Sequence, residues 1–434
     1  MALDTIVLRS VEEAQQEMLQ HFRALPAEVI PLQAALGRTL AEDMRADMDV
    51  PPFANSAMDG YAVRVADLRA GSDLVLDVIG EVPAGGVAGQ PVEPGTAMRI
   101  MTGAPLPAGA DTVVPFEDTD EGQTGSLLGV GKVRIRTVPS AGANVRAAGE
   151  DVRANTVVVP HRTPITPAAV GVLASIGAAT VPVYRRPRVA ILATGDELVD
   201  VGERPGPGQI RNANGYANAA QVLVAGGEVL QLPIARDTEA ELRARLQQGL
   251  DWGADLFLTS GGVSVGDYDV VKKVLKSMGE MQFWRVRMKP GKPIAFGHIG
   301  AVPLLGLPGN PVSAMVCFEL FGRPALLKMQ GRRSLFRPFM PAIFEGRLED
   351  RADRRQYVRV RVKEQDGEFV VRLTGEQGSG VLSSMLSADG LMVVPEGMTD
   401  VEPGTRLQVM MLYWPEVDPE PATGIDEPAG ADCC

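Results

Sequence analysis

Across residues 188–329 the chain repeats one pattern: a short apolar run, a polar or glycine-rich loop, then a stretch with helical spacing. The runs "RVAILAT", "EVLQLPI", "DLFLTS" and "VPLLGL" read as buried strands. Residues 213–225 and 238–250, "DVVKKVLKSM" and the long "PVSAMVCFELFGRPALLKM" read as helices. Strands joined through helices cross over in the right-handed sense, so the alternation predicts a mostly parallel sheet in an α/β, nucleotide-binding-like domain over 184–332. It also says where chemistry belongs, because open parallel sheets bind ligands at the carboxyl ends of their strands.

The unusual residues sit there. "ATGDELV" presents Asp196 and Glu197, and "ARDTE" presents Asp237. "TSGGVSVGDYD" presents Ser260, Gly261, Gly262, Ser264, Asp267 and Asp269; "GLPGNPVSA" presents Gly309, Asn310 and Ser313. Glycines let backbone N–H groups approach an anion, and a following helix adds its positive end, so "SGGVSVGD" suits a phosphate cradle. Asn310 also fits the cap of a helix starting at Pro311. In "FWRVRMKPGKPIAF", Arg285, Arg287 and Lys289 alternate and would leave one face of a strand, with Lys292 after a Pro-Gly turn. That is either a solvated edge strand guarded by charge or a site for a compact oxyanion. Acidic loops beside basic turns suit a phosphorylated substrate with a divalent metal.

The remaining chain is richer in β structure. Residues 49–141 alternate short apolar runs with Gly/Pro turns, and "PPFANSAMDGYAV" is a loop built to hold Asp59. Ser10 and Glu13 have capping-box spacing ahead of a helix with Val11, Ala14, Met18 and Phe22 on one face. Thr166 and Pro167 open another helix. Residues 333–415 return to period two in "QYVRVRV", "EFVVRL" and "RLQVMMLYW", a separate β domain. The acidic, Pro/Gly/Ala-rich segment 416–434 is expected to be disordered.

Composition narrows the function classes. A length of 434 residues implies several domains. A net charge of −12 argues against a general nucleic-acid binder. No apolar run approaches the about 20 residues of a membrane span, and the start shows no secretory pattern. Cys317, Cys433 and Cys434 make no disulfide framework, which suits the cytoplasm. His21, His161 and His298 stand apart without zinc-type spacing.

Taken together, "PPFANSAMDGYAVR", "MRIMTGAPLPAGADTVVPFED", "RAAGEDV", "ATGDELV", "IRNANGYA", "TSGGVSVGDYD", "MKPGKP" and "GLPGNPVSA" resemble the molybdopterin molybdenumtransferase family, which includes the catalytic domain of gephyrin. The resemblance spans about 50–319 and extends in layout to the last domain. It implies an elongated homodimer of four-domain chains, with 1–48 plus 142–183 as one discontinuous domain and 49–141 as a β-rich insertion. It implies transfer of molybdenum from molybdate to adenylylated molybdopterin, release of AMP, and a divalent cation, usually Mg²⁺. The molybdopterin adenylyltransferase that makes the substrate and the molybdoenzymes that receive the product are the implied partners.

Carried over by motif, the catalytic carboxylates are Asp59, Asp151, Glu197, Asp237 and Asp269, with Asp267 competing with Asp269. Glu197, Asp237 and Asp269 would hold the metal. Thr102, Gly103, Ser260, Gly261, Gly262, Ser264, Gly309, Asn310 and Ser313 would contact the substrate. Lys289, Lys292 and Pro293, with Arg359 and Ser387 from the last domain, would bind molybdate. A turn aspartate or helix cap explains Asp151 and Asp237 equally well. Two other readings stay open: a molybdopterin adenylyltransferase, and a non-catalytic scaffold like gephyrin.

Overall fold

The computed structural model describes residues 7–68, 74–121, 131–261, 269–349 and 354–414. The chain divides into two compact units, Met1–Ala27 with Tyr184–Cys434, and Glu28–Val183. The segment 416–434 lies outside the described residues.

The first unit is built on a seven-stranded sheet. Its strands in chain order are β1 (Val7–Arg9), β2 (Arg188–Ala193), β3 (Glu228–Gln231), β4 (Leu256–Ser260), β5 (Met281–Val286), β6 (Pro293–Ile299) and β7 (Val302–Leu307). In space they run β1-β5-β6-β7-β4-β2-β3. Every neighbouring pair is parallel except those of β6, which is antiparallel to both β5 and β7. Helices cover both faces, so strands bury alternate residues in different cores. Val189, Ile191, Leu256 and Leu258 join α1 (Val11–Gln20), α2 (Ala213–Val224) and α5 (Pro311–Cys317). Ala190, Leu192 and Phe257 face the other way, toward α3 (Glu239–Asp251) and α4 (Asp269–Met278).

The N-terminal segment departs from expectation. Residues 7–25 do not group with 142–183. Instead β1 pairs with β5, Val7 opposite Trp284, and Val11, Ala14, Met18 and Phe22 enter the core of the first unit. The period of α1 and its capping box are as the sequence reads: Ser10 Oγ accepts from Glu13 N, and Glu13 accepts from Ser10 N at 2.7 Å. Which apolar surface that amphipathic face would cover was not encoded locally. The same pairing removes the edge-strand reading of "FWRVRM", since β5 has neighbours on both sides. Nor do Arg285, Arg287 and Lys289 share one continuous strand. β5 stops at Val286, and Met288–Lys289 pairs separately with Arg355 and Gln356.

The long final helix is interrupted too. After α5 the backbone widens into a π segment, Phe318–Gly322, before α6 (Arg323–Met329). Pro324 brings no N–H to the helical ladder, and a wide turn accommodates that gap. His21 and His298, far apart in sequence, meet with ring centroids 5.0 Å apart.

The rest of the first unit is a closed barrel of β8 (Phe339–Phe344), β9 (Arg355–Gln365), β10 (Glu368–Leu373), β11 (Gly390–Val394) and β12 (Arg406–Met411). Pairings run β9-β10-β8-β12-β11 and back to β9, so no strand of the ring keeps a free edge. Met340, Val358, Val371, Met392 and Val409 fill it.

In the second unit, Gly60–Val63 lies between Thr112–Pro115 and Thr96–Ile100 in a five-stranded sheet completed by Leu74–Val82 and Lys132–Ile135. Gly60 is required there: a Cβ would sit 2.0 Å from Val114 O. A separate core of Ala35, Leu40, Ile165, Leu173 and Val183 is covered by the helix Pro167–Ser175, capped by Thr166. Among the described residues no helix is long and apolar enough to cross a membrane.

Candidate active site

At the carboxyl edge of the first unit's sheet, the loops after β2, β3, β4 and β7 converge. Thr194 bridges Ala235, which sets the loop of Asp196 and Glu197 beside that of Asp237. Asp237 N donates to Asp196 Oδ1 at 3.4 Å, and Arg236 Nη1 donates to the carbonyls of Asp196 and Leu198 at 3.0 and 3.3 Å. Burial, followed by the negative charges of Asp196 and Glu197, pushes the Asp237 carboxyl above the usual carboxylate range. Thr238, not Asp237, caps α3, so capping does not account for Asp237.

Gly261, at φ +90°, stands where a Cβ would meet Thr194 O at 3.3 Å, and a Cβ on Gly309 would lie 3.9 Å from Gly261 Cα. Three loops thus come within van der Waals reach, with Ser260 buried behind them. Gly262, Ser264 and Asp267 lie outside the described residues, as does the side chain of Asp269 at the start of α4. Among the described residues no three His, Cys, Asp or Glu side chains are grouped to hold a metal. The donors that do crowd, Glu197 and Asp237 with Asp196 beside them, are carboxylates, the chemistry suited to a hard divalent cation.

Next to this edge, three of the residues expected to bind molybdate line a cavity of about 760 Å³. The turn 289–292 supplies Lys289 and Lys292, with Pro293 following; Gly309, Asn310 and Ser313 form another wall. Arg285 and Arg287 do not line it, and Arg287 instead pairs with Glu396 at 3.6 Å. Asn310 occupies the N-cap position of α5 but makes no capping bond. Its Nδ2 donates to Ser379 Oγ at 3.1 Å, while Gly309 O accepts from Asn214 Nδ2 at 2.7 Å. Asn310 is therefore a cap by position alone, and its side-chain amide reaches a neighbouring chain segment instead.

That segment was missed in the sequence. Gln377, Gly378 and Ser379, in the loop after β10, line the cavity along with Arg354 and Glu349. The available signal was "EQGSG", a small-residue loop between two strands. Arg359 and Ser387 do not line it. Ser387 merely ends the short helix Ser383–Leu386. Arg359 is 1% exposed and works from behind. Its Nη2 donates to Glu376 O at 3.3 Å and Gly378 O at 3.0 Å, and its Nε to Ser384 Oγ at 3.0 Å. Burial pulls its pKa down to about 10, which leaves the guanidinium charged at neutral pH. We expect Arg359→Leu to lower stability by about 2–3 kcal/mol in urea unfolding, because buried carbonyls lose their donors. Arg359→Lys should recover less than half, since one ammonium cannot span the three acceptors.

In the second unit, Asp59 Oδ1 accepts from Thr102 N at 2.6 Å and Thr102 Oγ1 at 2.7 Å. Those bonds hold the exposed carboxyl below its usual range. Gly103, at φ +81°, donates N–H to Ser56 O at 2.8 Å, so Thr102 and Gly103 brace the Asp59 loop. The backbone of Asp151 donates to Val50 O at 3.0 Å at the base of the same loop. Its carboxylate makes no hydrogen bond among the described residues, so a capping role does not account for it.

Residues 9–177 match the MoeA N-terminal region (domain I and II), 190–328 a probable molybdopterin binding domain, and 341–412 the MoeA C-terminal region (domain IV). Molybdopterin molybdenumtransferase 2 of Mycobacterium tuberculosis (strain CDC 1551 / Oshkosh) is 39% identical over 415 residues, covering 93% of this chain and 100% of that protein. The chain belongs to the molybdopterin molybdenumtransferase family. A molybdopterin molybdenumtransferase of Haemophilus influenzae is 36% identical over 404 residues, spanning 92% of this chain and 98% of its own. The crystal structure of a molybdopterin biosynthesis moeA protein from Pyrococcus horikoshii OT3 superposes with a TM-score of 0.79 at 28% identity, over 93% of this chain and 100% of that one. The protein is thus a transferase of molybdenum cofactor biosynthesis, with sheet-rich domains and a C-terminal barrel.

Proposed function

We propose that this molybdenumtransferase inserts molybdenum from molybdate into adenylylated molybdopterin and releases AMP. The observation that carries the reading is the cavity holding Lys289, Lys292, Gly309, Asn310 and Ser313 beside the loops of Glu197, Asp237 and Gly261. Two anions have to be brought together there, so positioning and charge neutralisation do most of the chemical work. Lys289 and Lys292 bind the metallate, and the loops at Ser260, Gly261 and Gly309 receive the phosphates. Glu197 and Asp237 would hold a divalent cation such as Mg²⁺, with Asp269 the third ligand that the family motif implies, and the cation would supply charge neutralisation at the phosphoanhydride. The enzyme acts as a cytoplasmic homodimer between an adenylyltransferase and the molybdoenzymes that take its product.

The test is AMP release from adenylylated molybdopterin by the purified full chain. Turnover is expected only with molybdate and a divalent cation together. Synthesis of the adenylylated compound from ATP without molybdate would overturn the reading in favour of an adenylyltransferase. The metal assignment has its own readout. Asp237 has a raised folded pKa, so its contribution to stability is greatest below the unfolded value and is lost as pH rises through the folded one. At pH 7.5 Mg²⁺ should therefore raise the melting temperature, and Asp237→Asn should remove most of that rise.

A further inference from the structure

We propose that the contact between Gly291 and Cys317 is a positioning device, setting how far the turn that carries Lys289 and Lys292 stands from Asn310 and Ser313. The proposal rests on the oxyanion reading of the cavity and adds a residue that does not touch its contents.

Gly291 is buried at the apex of the turn with φ +102°. A Cβ there would lie 2.5 Å from Cys317 Sγ, 3.1 Å from Met288 Cε and 3.7 Å from Ser313 O. The turn thus rests directly on the last residue of α5. Cys317 is fully buried, and its Sγ donates to Gly291 O at 3.6 Å. Ser313 is four residues earlier on α5, hence on the same helix face, and lines the cavity. One helix face therefore supplies a wall residue at one level and the seat of the lysine turn at the next.

The chemistry of the seat matters as well as its size. Burial pushes the Cys317 thiol far above its usual range, so it stays a neutral donor at physiological pH. A neutral seat does not compete with an oxyanion for Lys289 and Lys292. A larger side chain at 317 would push the turn outward; a smaller one would leave Gly291 O without its donor and the turn free to settle inward.

The test is molybdate binding to the full chain by titration calorimetry, for wild type, Cys317→Ala and Cys317→Ser. Val222→Ala, in the same core but on α2, controls for general loss of stability. Cys317→Ala should weaken molybdate about three- to tenfold, the effect of one net hydrogen bond. Cys317→Ser should fall between wild type and Cys317→Ala, because its shorter C–O bond lets the hydroxyl donate to Gly291 O only if the turn moves inward. Val222→Ala should leave molybdate affinity unchanged while lowering the unfolding midpoint. Wild-type affinity in Cys317→Ala, or an equal loss in Val222→Ala, overturns the positioning role and leaves the oxyanion reading standing. Failure of wild type to bind molybdate overturns both.

Discussion

Asp59→Asn is expected to lower molybdenum insertion by about 10²–10³-fold with at most a small fall in the unfolding midpoint, because only the charge-assisted part of its bonds is lost. The substitution is clean because of Thr102. Its backbone N and Oγ1 both donate to a single oxygen of Asp59, at 2.6 and 2.7 Å, and the Oδ1 of an asparagine accepts the same two bonds. The loop is therefore kept and only the charge is removed. Thr102 lowers the folded pKa of Asp59, so the associated stability is present above the unfolded value and lost only as pH falls through the folded one. Between pH 6 and pH 8 the wild-type carboxylate is constantly ionised, and the loss in Asp59→Asn should be independent of pH across that window. The measurement is AMP release alongside thermal unfolding. A variant that turns over at the wild-type rate would show that the reaction makes no use of this charge. Asp59→Ala is the less informative substitution, since it also strips Thr102 of its acceptor.

Much of the site was readable because it sits in motifs whose structure is local. The loops of Glu197, Asp237, Gly261 and Gly309 each follow an apolar strand, and a strand–loop–helix unit largely dictates where its loop ends up. Thr166 as a helix cap and the Ser10–Glu13 box are similarly short-range. What escaped was everything decided by a partner distant in sequence. Asn310 stands at the cap position as read, but its side-chain amide donates to Ser379, 69 residues away. Arg359 is a ligand by the family resemblance, yet the carbonyls of Glu376 and Gly378 turn it inward. The segment 7–25 has an amphipathic helix whose pattern is plain, but its destination depends on which open face the sheet leaves. His21 and His298 meet for the same reason, one ending α1 and the other lying on β6. The Gly291–Cys317 contact belongs with these: both residues were in quoted motifs, and neither motif says that they touch.

Lys292→Ala should weaken molybdate binding by about ten- to hundredfold, the range for losing a hydrogen bond to a charged group. Affinity for adenylylated molybdopterin should stay within about threefold, because the glycine loops that would receive its phosphates are untouched. Truncation leaves the turn in place. Lys292 O accepts from Val286 N at 2.8 Å, and the next residue opens β6, so the backbone on both sides is fixed without the side chain. Lys292→Arg separates charge from shape. It keeps a cation, but its planar guanidinium is larger than an ammonium and leaves less room for a compact oxyanion beside a tight turn. Partial recovery is therefore expected, and full recovery would mean that net charge alone matters. Salt provides a second readout. Raising ionic strength should weaken wild-type molybdate binding, and the slope should flatten in Lys292→Ala because one positive charge has gone. If Lys292→Ala binds molybdate as wild type does, with an unchanged salt slope, then the cavity beside Ser313 is not where the metallate sits. The carboxylates at the sheet edge would then need a different partner.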